Sequence, residues 1–365
     1  MSSSLHEFHH GLDARFAELN GEEIVADYGD APAEHGALRT STGIIDLSFR
    51  SRICLTGADR ARFLHGQVTN DVKKLHTGEG CYAAITTAKG KMESDLNIYA
   101  LADELLLDFE PGLTEKVSQR LEKFIVADDV QIVDAAPHYG LLSMQGPKAE
   151  NVVRALGLFT EIPAKPQASL KISDATLGEI YLANNPRLGT SGFDLFVPNN
   201  SLGAVVDKLI AAAKQLGGRA CGWTAFETAR IEAAIPRFGA DMDETNIPLE
   251  CGIESRAVSY NKGCYIGQEV INRIHSVGHV TRELRGLRFV DPAGAGLPLP
   301  QRGDKLLHAG KEVGYVTSAV KSPVLNANIA LGYVRREANQ IGNELTLRTA
   351  VGESLAKIVE LPFVK

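Results

Sequence analysis

The amino-acid sequence predicts an α+β fold that is followed by an all-β module at the C-terminal end. The chain has 365 residues, which is too long for one ordinary hydrophobic core and indicates roughly two or three domains. Helical and strand periodicities alternate up to about residue 283, as is typical of mixed α+β layers. From Leu284 onward, short alternating segments between Gly- or Pro-containing turns indicate strands alone. We therefore expect an α+β region at 1–283 and a β module at 284–365.

The first hundred residues alternate short helices with strands. An amphipathic segment at about Leu5–Leu19 comes first, and a helix is expected near Asp59–His65. Alternating apolar residues predict strands at Cys81–Thr86 and Leu96–Leu101.

The order of elements from about 105 to 216 resembles the strand–helix–strand units of a ferredoxin-like layer. A proline at the first turn favours a helix at Pro147–Leu156, and two glycines end a helix at Ser201–Leu216. The other expected elements are a helix at Leu113–Phe124 and strands at Ile125–Val133, Leu177–Ala183 and Phe193–Val197.

The C-terminal β module is predicted from short runs with strand periodicity. Turn residues separate these runs, and no helical period interrupts them. The expected strands include Glu312–Ala319, Ala330–Val334, Glu344–Leu347 and Leu355–Leu361.

Composition narrows the classes of function. A net charge of −7 gives no overall basic field that would favour nucleic acid, although a local basic patch for tRNA stays open. No apolar run approaches the length of a membrane span, and the polar start does not resemble a signal peptide, so we expect a cytoplasmic protein without a membrane partner. The five cysteines are an odd number without a C-x-x-C pair, and no metal site is expected.

The segment Asn261–Glu269 carries the strongest chemical signal of the chain. Apolar or aromatic residues recur at helical spacing after Lys262 and Cys264, which predicts a helix that begins near Cys264 and ends before Val277-Gly278. Unpaired N–H groups at a helix start and the Lys262 ammonium would both favour a Cys264 thiolate. The alternative, a small buried cysteine without reactivity, stays open from the residues alone.

Several segments resemble those of one family. Lys262–Glu269 (KGCYIGQE) is similar to the signature of YgfZ-type folate-binding proteins, which belong to the glycine-cleavage T-protein (aminomethyltransferase) superfamily. Phe63–Asp71 and Gly189–Asp194 resemble other segments of that superfamily, and Gly314–Ser318 and Ile329–Val334 resemble its C-terminal barrel. The resemblance spans nearly the whole chain.

The resemblance implies a three-domain cloverleaf, in which two α+β units bind folate and a β-barrel forms the C-terminal part. It implies tetrahydrofolate as the ligand. By the same resemblance, Asp194 takes the place of a glutamate that holds the pterin, and Asp95 takes the place of the catalytic aspartate near the folate nitrogens. From the residues alone, both acids could equally be solvated strand residues. Two departures accompany these matches: Asp194 is shorter by one methylene, and Ser94 replaces the first acid of an Asp-Asp-Leu segment.

The cation that would hold the anionic folate tail is not identified by the resemblance. Phe226 stands where T-proteins carry an arginine, and an aromatic ring cannot neutralise a carboxylate. The remaining candidates are Arg187, Lys262, Arg273 and Arg282.

Three functions follow as expectations. The first is a YgfZ-like tetrahydrofolate-binding protein that assists iron–sulfur cluster assembly or repair in client proteins, with Cys264 as the reactive thiol beside Lys262. The second is an aminomethyltransferase that passes a one-carbon unit to tetrahydrofolate with Asp95 as the key acid. The third is a folate-independent scaffold that keeps only the fold. The signature around Cys264, together with Phe226 and Ser94, favours the first.

Overall fold

The computed structural model describes residues 4–290, 298–350 and 352–364. Contacts divide the chain into two compact units, each assembled from separate segments. The first unit contains the chain through Ile85, Ser94–Glu227 and Asn261–Ile266. The second contains Thr86–Glu93, Thr228–Tyr260 and the chain from Gly267 onward.

Helices and strands follow one another along most of the described chain. The helices are α1 (His6–His10), α2 (Ala31–Thr40), α3 (Arg60–Gln67), α4 (Thr114–Glu122), α5 (Ala149–Ala155), α6 (Leu202–Gln215), α7 (Trp223–Glu232), α8 (Glu254–Ala257) and α9 (Gln268–Val277). Short 3₁₀ turns lie at Pro248–Cys251 and Arg336–Ala338. The strands before the barrel are β1 (Arg15–Leu19), β2 (Glu22–Asp27), β3 (Gly43–Asp46), β4 (Ser51–Thr56), β5 (Gly80–Thr86), β6 (Met92–Ala100), β7 (Leu105–Phe109), β8 (Gln131–Asp134), β9 (Tyr139–Gln145), β10 (Ser169–Asp174), β11 (Gly178–Asn184), β12 (Gly192–Pro198) and β13 (Arg219–Ala220). The barrel strands are β14 (Arg282–Val290), β15 (Lys305–His308), β16 (Lys311–Ser322), β17 (Ala327–Arg335), β18 (Glu344–Thr349) and β19 (Gly352–Val359).

Two sheets with separate apolar cores organise the first unit. One has the strand order β5-β6-β7-β4-β8, and the other has the order β10-β11-β12-β9-β3-β13. The core of the five-stranded sheet packs beneath α3 and α4 and includes Leu64, Ile98, Leu107 and Leu121. The six-stranded sheet packs against α5 and α6 through Val152, Leu195, Val205 and Leu209, among others.

The C-terminal strands close into a six-stranded antiparallel barrel with the order β14-β17-β16-β15-β18-β19. Closure pairs every strand on both sides, so the barrel has no unpaired edge. Its interior contains apolar side chains from each strand, including Leu287, Leu306, Val316, Ala330, Leu347 and Ile358.

Most predicted elements are confirmed within a few residues. The helices expected at Asp59–His65 and Ser201–Leu216 correspond to α3 and α6, and the four predicted barrel strands correspond to β16–β19. The six-stranded sheet takes β9–β12 from the interval 105–216, whereas β7 and β8 of that interval belong to the five-stranded sheet.

Three sequence expectations are wrong in detail. The amphipathic start at Leu5–Leu19 divides into the short helix α1 and the strand β1. The strand expected at Ile125–Val133 forms only at β8, which begins six residues later. The helix expected to begin near Cys264 begins at Gln268, because Gly267 has a left-handed φ of 91° that does not fit inside an α-helix. Within the described chain, no helix has both the length and the apolar character that a membrane span requires.

Candidate functional site

Strand β6 presents a polar face in the first unit. Alternate residues of a strand share a face, so Asp95, Asn97 and Tyr99 lie on one side. The other side packs into the apolar core through Leu96, Ile98 and Ala100. The predicted acid Asp95 therefore lies at one end of a polar row that continues into buried structure.

This polar row meets a buried layer of charged side chains, here called the polar layer, formed by Arg50, Asp108, Arg187 and Asp194. Arg50 Nε lies 2.7 Å from Asp108 Oδ1, and Arg187 Nη2 lies 2.7 Å from Asp108 Oδ2. Asn97, which pairs with Asp108 across β6 and β7, donates its amide to Oδ2 at 3.1 Å. Asp108 is completely buried, so this carboxylate joins two guanidinium groups away from solvent.

Both carboxylate oxygens of Asp194 accept hydrogen bonds from neighbouring side chains. Arg187 Nε and Nη2 donate to Asp194 Oδ2 at 2.9 and 2.6 Å. The Ser143 hydroxyl donates to Oδ1 at 2.7 Å, and the Asn185 amide donates to Oδ2 at 2.8 Å. In this arrangement Asp194 and Arg187, both expected from sequence to bind folate, bind each other, and Asp194 has no exposed surface.

The ion pairs of the polar layer should make the free energy of unfolding depend on pH in the acid range. Burial would raise the pKa of Asp108, but the Arg50 and Arg187 guanidinium groups outweigh burial and hold this pKa well below its usual range. A carboxyl whose pKa is lower in the folded state stabilises the fold fully above its unfolded pKa, near 4, and loses that contribution as the pH falls through the folded value.

We therefore expect the free energy of unfolding to fall as the pH drops below about 4. Asp108→Asn mimics the protonated side chain, so the difference in stability between wild type and this variant should shrink on acidification. Urea denaturation at several pH values between 3 and 7 measures that difference. A difference that stays constant over this range would contradict the assignment.

Asp95 has a different environment from Asp194. The Tyr82 hydroxyl donates to Asp95 Oδ2 at 2.7 Å, and the Asp95 side chain is only partly buried. Tyr82 itself is buried, so its ring fixes the position of the carboxylate it contacts. A carboxylate held in this way, and still partly exposed, can accept hydrogen bonds from ring N–H groups of a bound ligand.

Cys264 lies in a turn, four residues before α9 begins. Its side chain is exposed, whereas Cys54, Cys221 and Cys251 are buried and Cys81 is half-buried. The turn is attached to the first unit by the Ile266 N–H, which donates to the Gly66 carbonyl at 3.2 Å. The expected activation of the thiol by the N–H groups of a helix start is therefore absent, because those groups belong to later residues.

Lys262 holds this turn in place. Its Nζ donates to the carbonyl oxygens of His65, Val68 and Asn70 at 2.6, 2.6 and 2.8 Å, and it lies 4.9 Å from the centroid of the Tyr265 ring. Burial lowers the pKa of Lys262 to about 8, which leaves the ammonium form predominant at neutral pH. All three ammonium hydrogens are used by carbonyls, so none remains to donate to a Cys264 thiolate.

Phe226, for which the resemblance to T-proteins implied an aromatic residue in place of an arginine, belongs to an aromatic cluster. Phe226 is buried and stacks on Trp223, with ring centroids 5.1 Å apart, and Trp223 packs edge-on against Phe49. Of the other candidate cations, Arg187 and Lys262 are engaged as described above.

The last two candidate cations lie in the second unit. Arg282 contacts Glu250 at 3.4 Å and donates to the Tyr315 hydroxyl at 3.0 Å, while Arg273 is exposed on α9. Among the described residues, no three His, Cys, Asp or Glu side chains converge closely enough to hold a metal ion.

Sequence reasoning missed several residues of this region. Asp108 is an acid within the apolar run Leu105–Phe109, and Arg50 comes two residues before another buried arginine, Arg52. Charged residues inside buried strands are rare unless they are paired, and this signal could have identified the polar layer. Tyr82 carried no such signal.

Comparison with known proteins gives consistent matches along the chain. The family model described as the GCVT N-terminal domain matches residues 5–262, and the one described as the glycine cleavage T-protein C-terminal barrel domain matches residues 282–365. The aminomethyltransferase of Halalkalibacterium halodurans is 29% identical over 368 residues, covering 99% of this chain and 97% of its own length. That of Bacillus subtilis is 27% identical over 350 residues, covering 95% of this chain and 94% of its own.

A solved structure matches in the same way. The crystal structure of glycine cleavage system aminomethyltransferase T from Bartonella henselae superposes with a TM-score of 0.88 at 22% identity. The match covers 100% of this chain and 98% of that one. At this identity the likeness shows the fold, and it confirms the predicted α+β class with a C-terminal β-barrel, which has six strands in this chain.

Proposed function

Because this chain belongs to the glycine cleavage T-protein family, we propose that it binds tetrahydrofolate through the first unit, with Asp95 as an acceptor for the ring N–H groups. Tetrahydrofolate supplies nitrogens that carry one-carbon units. A carboxylate held by Tyr82 and still partly exposed is suited to orient such nitrogens or to accept a proton from them.

Asp194 and Arg187 are better placed to support the folate site than to contact folate themselves. Their mutual hydrogen bonds occupy the carboxylate and much of the guanidinium, and Asp194 is fully buried. We propose that the polar layer holds β6 and β12 in fixed positions, so that the ligand is bound by groups further along the same polar face. We propose that the half-buried ring of Trp223, which stacks on Phe226, offers the folate tail an aromatic surface rather than a charge.

The activity that we propose first is a YgfZ-like role in iron–sulfur cluster assembly or repair. One observation supports it above others. Cys264, which lies in the segment Lys262–Glu269 that resembles the YgfZ signature, is exposed, whereas the other four cysteines are buried or half-buried. An exposed thiol on a braced turn can reach a reactive sulfur or carbon of a client protein. Phe226 also favours this candidate, because it stands where the resemblance places an arginine in the transferases.

The second candidate is aminomethyl transfer to tetrahydrofolate. The names of the relatives support this candidate better than the first, since the homologues reported above are aminomethyltransferases. Asp95 would serve both functions. The two differ in whether Cys264 is needed and in whether an aminomethyl-lipoyl carrier protein is a substrate.

One set of measurements separates these functions. Tetrahydrofolate is titrated against wild type, Asp95→Asn and Cys264→Ala, and one-carbon transfer from aminomethyl-lipoyl protein is then assayed. Binding without transfer, together with loss of iron–sulfur enzyme activity in cells that carry Cys264→Ala, would support the first candidate. Robust transfer that survives Cys264→Ala would replace it with the second, and no folate binding at all would leave a scaffold that keeps only the fold.

Asp95→Asn should weaken tetrahydrofolate binding by about tenfold to a hundredfold. A charge-assisted hydrogen bond contributes roughly 1.5–3 kcal/mol, and the amide replaces an acceptor oxygen by a donor. Asp103→Asn makes the same change at an exposed position beyond the end of β6 and is the matched control. Isothermal titration calorimetry measures both dissociation constants, and equal affinity in wild type and Asp95→Asn would remove Asp95 from the site.

A further inference from the structure

The first unit contains a cavity of about 240 Å³ at the end of β6. Leu101, which directly follows the last residue of β6, lines this cavity. Asp95 lies six residues earlier on the same strand, and six residues of extended chain span about 20 Å. The cavity is therefore well separated from the acid that we propose to contact folate.

Most of the cavity lining is apolar or aromatic. On the five-stranded sheet, Leu106, Cys54 and Val133 are cross-strand neighbours on β7, β4 and β8, and all three line the cavity. The six-stranded sheet contributes Phe196 and Tyr181, which are also cross-strand neighbours. An apolar cavity of roughly 150 Å³ can bind benzene. This larger cavity therefore has room for an aromatic ring that carries a small polar group.

Arg52 brings a buried positive charge to this cavity. It lies two residues before Cys54 on the same face of β4, and it is 1% exposed. Its guanidinium donates to the carbonyl oxygens of Arg50, Ser48 and Tyr139 at 3.0, 3.1 and 2.7 Å. These acceptors are neutral, so they fix the position of the guanidinium without neutralising its charge.

The charge of Arg52 lacks a counter-ion in contact with it. Among the described residues, no carboxylate forms an ion pair with its guanidinium, and its Nε–H has no acceptor. Arg50, by contrast, binds Asp108 and Glu110, each at 2.7 Å. Burial lowers the pKa of Arg52 to about 10, although the Asp108 carboxylate acts against burial. Buried charges are normally paired, so an unneutralised guanidinium at a cavity indicates an anion that binds there.

We propose that this cavity binds a small aromatic carboxylate, with the ring against Leu106 and Phe196 and the carboxylate directed to the Arg52 side. Two acids, Glu104 and Asp134, line the more exposed part of the same cavity. Their charges oppose a second anionic group there and favour the orientation in which the carboxylate points inward. This site goes beyond the proposed function and does not depend on folate.

The test is titration of the full chain with benzoate, followed by NMR of ¹³C-labelled leucine and valine methyl groups. We expect a dissociation constant of about 1 mM or lower. The shifts should be concentrated on Leu101, Leu106 and Val133, while Leu347 in the barrel core should not shift. Benzamide has nearly the same shape without the charge and should bind about tenfold more weakly.

Three variants test the contribution of the charge and of the cavity. Arg52→Gln keeps an amide donor for the carbonyls but removes the charge, so benzoate and benzamide should then bind within about twofold of each other. Glu104→Gln removes a repelling charge and should strengthen benzoate binding about threefold or more, with benzamide unchanged. Val133→Trp fills the cavity from its exposed edge and should abolish binding of both ligands. Val126→Trp makes the same change at a residue that is 89% exposed, and it should bind as wild type does.

The methyl spectrum also shows whether each variant is folded, and if Arg52→Gln is not, Glu104→Gln and Val133→Trp decide the question. Equal affinity of the wild type for benzoate and benzamide would overturn the anion assignment. Absence of shifts at Leu106 and Val133, or unchanged benzoate binding in Val133→Trp, would overturn the site. None of these measurements involves tetrahydrofolate or one-carbon transfer, so they are independent of the tests of the proposed function.

Discussion

Asp108→Asn is expected to lower the free energy of unfolding of the first unit by about 3–5 kcal/mol. Removing one partner of a buried ion pair leaves uncompensated charge in a low-dielectric interior, and this is among the largest effects of a single substitution. Asp108 is fully buried and contacts the guanidinium groups of both Arg50 and Arg187 at 2.7 Å. Asn has almost the same shape, so the loss is electrostatic rather than a cavity.

The single tryptophan of the chain, Trp223, lies in the first unit and gives a fluorescence signal for its unfolding in urea. Asp103→Asn makes the same chemical change at an exposed position near the start of β7 and should alter stability by less than about 0.5 kcal/mol. If Asp108→Asn also changed stability by less than 1 kcal/mol, the two arginines would have to be compensated elsewhere, and the polar layer would not be held by this carboxylate.

Lys262→Met should destabilise the first unit by about 2–4 kcal/mol, since it removes three charge-assisted hydrogen bonds from one buried ammonium. The acceptors are backbone carbonyls between His65 and Asn70, with donor–acceptor distances of 2.6–2.8 Å. Methionine keeps the length and the apolar stem of the side chain, so what it removes is the ammonium, with its hydrogen bonds and its cation–π contact to the Tyr265 ring. The variant thus isolates the ammonium.

Hydrogen exchange provides the most direct measurement for Lys262→Met. Amides of the Val68–Asp71 turn and of the Cys264 turn should exchange faster, while those of β9 and β12 should be less affected. Lys123→Met, at an exposed lysine just after α4, is the matched control and should leave both stability and exchange unchanged. Unchanged exchange in Lys262→Met would mean that the carbonyls find other donors and that the lysine is not what holds the turn.

Elements with strong local patterns were predictable from sequence. Helix α6 combines Val205, Leu209 and Ala212 on one face with Gly217 just beyond its end, and both signals are local. The barrel strands show the same agreement between pattern and structure. The start of α9 was missed because the positive φ of Gly267 depends on the fold of the turn, and a glycine in the sequence does not reveal its own conformation.

The contacts of the candidate site could not be predicted in the same way. The sequence pointed to Asp194 and Arg187 as ligand-binding residues, but it did not show that a strand pairing would place Asn97 opposite Asp108 and bring Arg187 to the same carboxylate. Likewise, Lys262 lies two residues before Cys264 in sequence, and this proximity suggested an electrostatic effect on the thiol. Its ammonium instead binds carbonyls nearly two hundred residues earlier in the chain, a contact that local patterns do not encode.

The sequence separation between Lys262 and the carbonyls that it binds affects the order in which this region forms during synthesis. The carbonyls of His65, Val68 and Asn70 leave the ribosome 192–197 residues before Lys262 does. At about 5–20 residues per second, the nascent chain waits roughly 10–40 s for the side chain that closes this turn. Until then the region around His65 remains incomplete, and the thiol of Cys264 has not yet been synthesised. The turn that carries Cys264 is therefore assembled only when most of the chain is available, which limits the time during which an exposed thiol accompanies an unfinished fold.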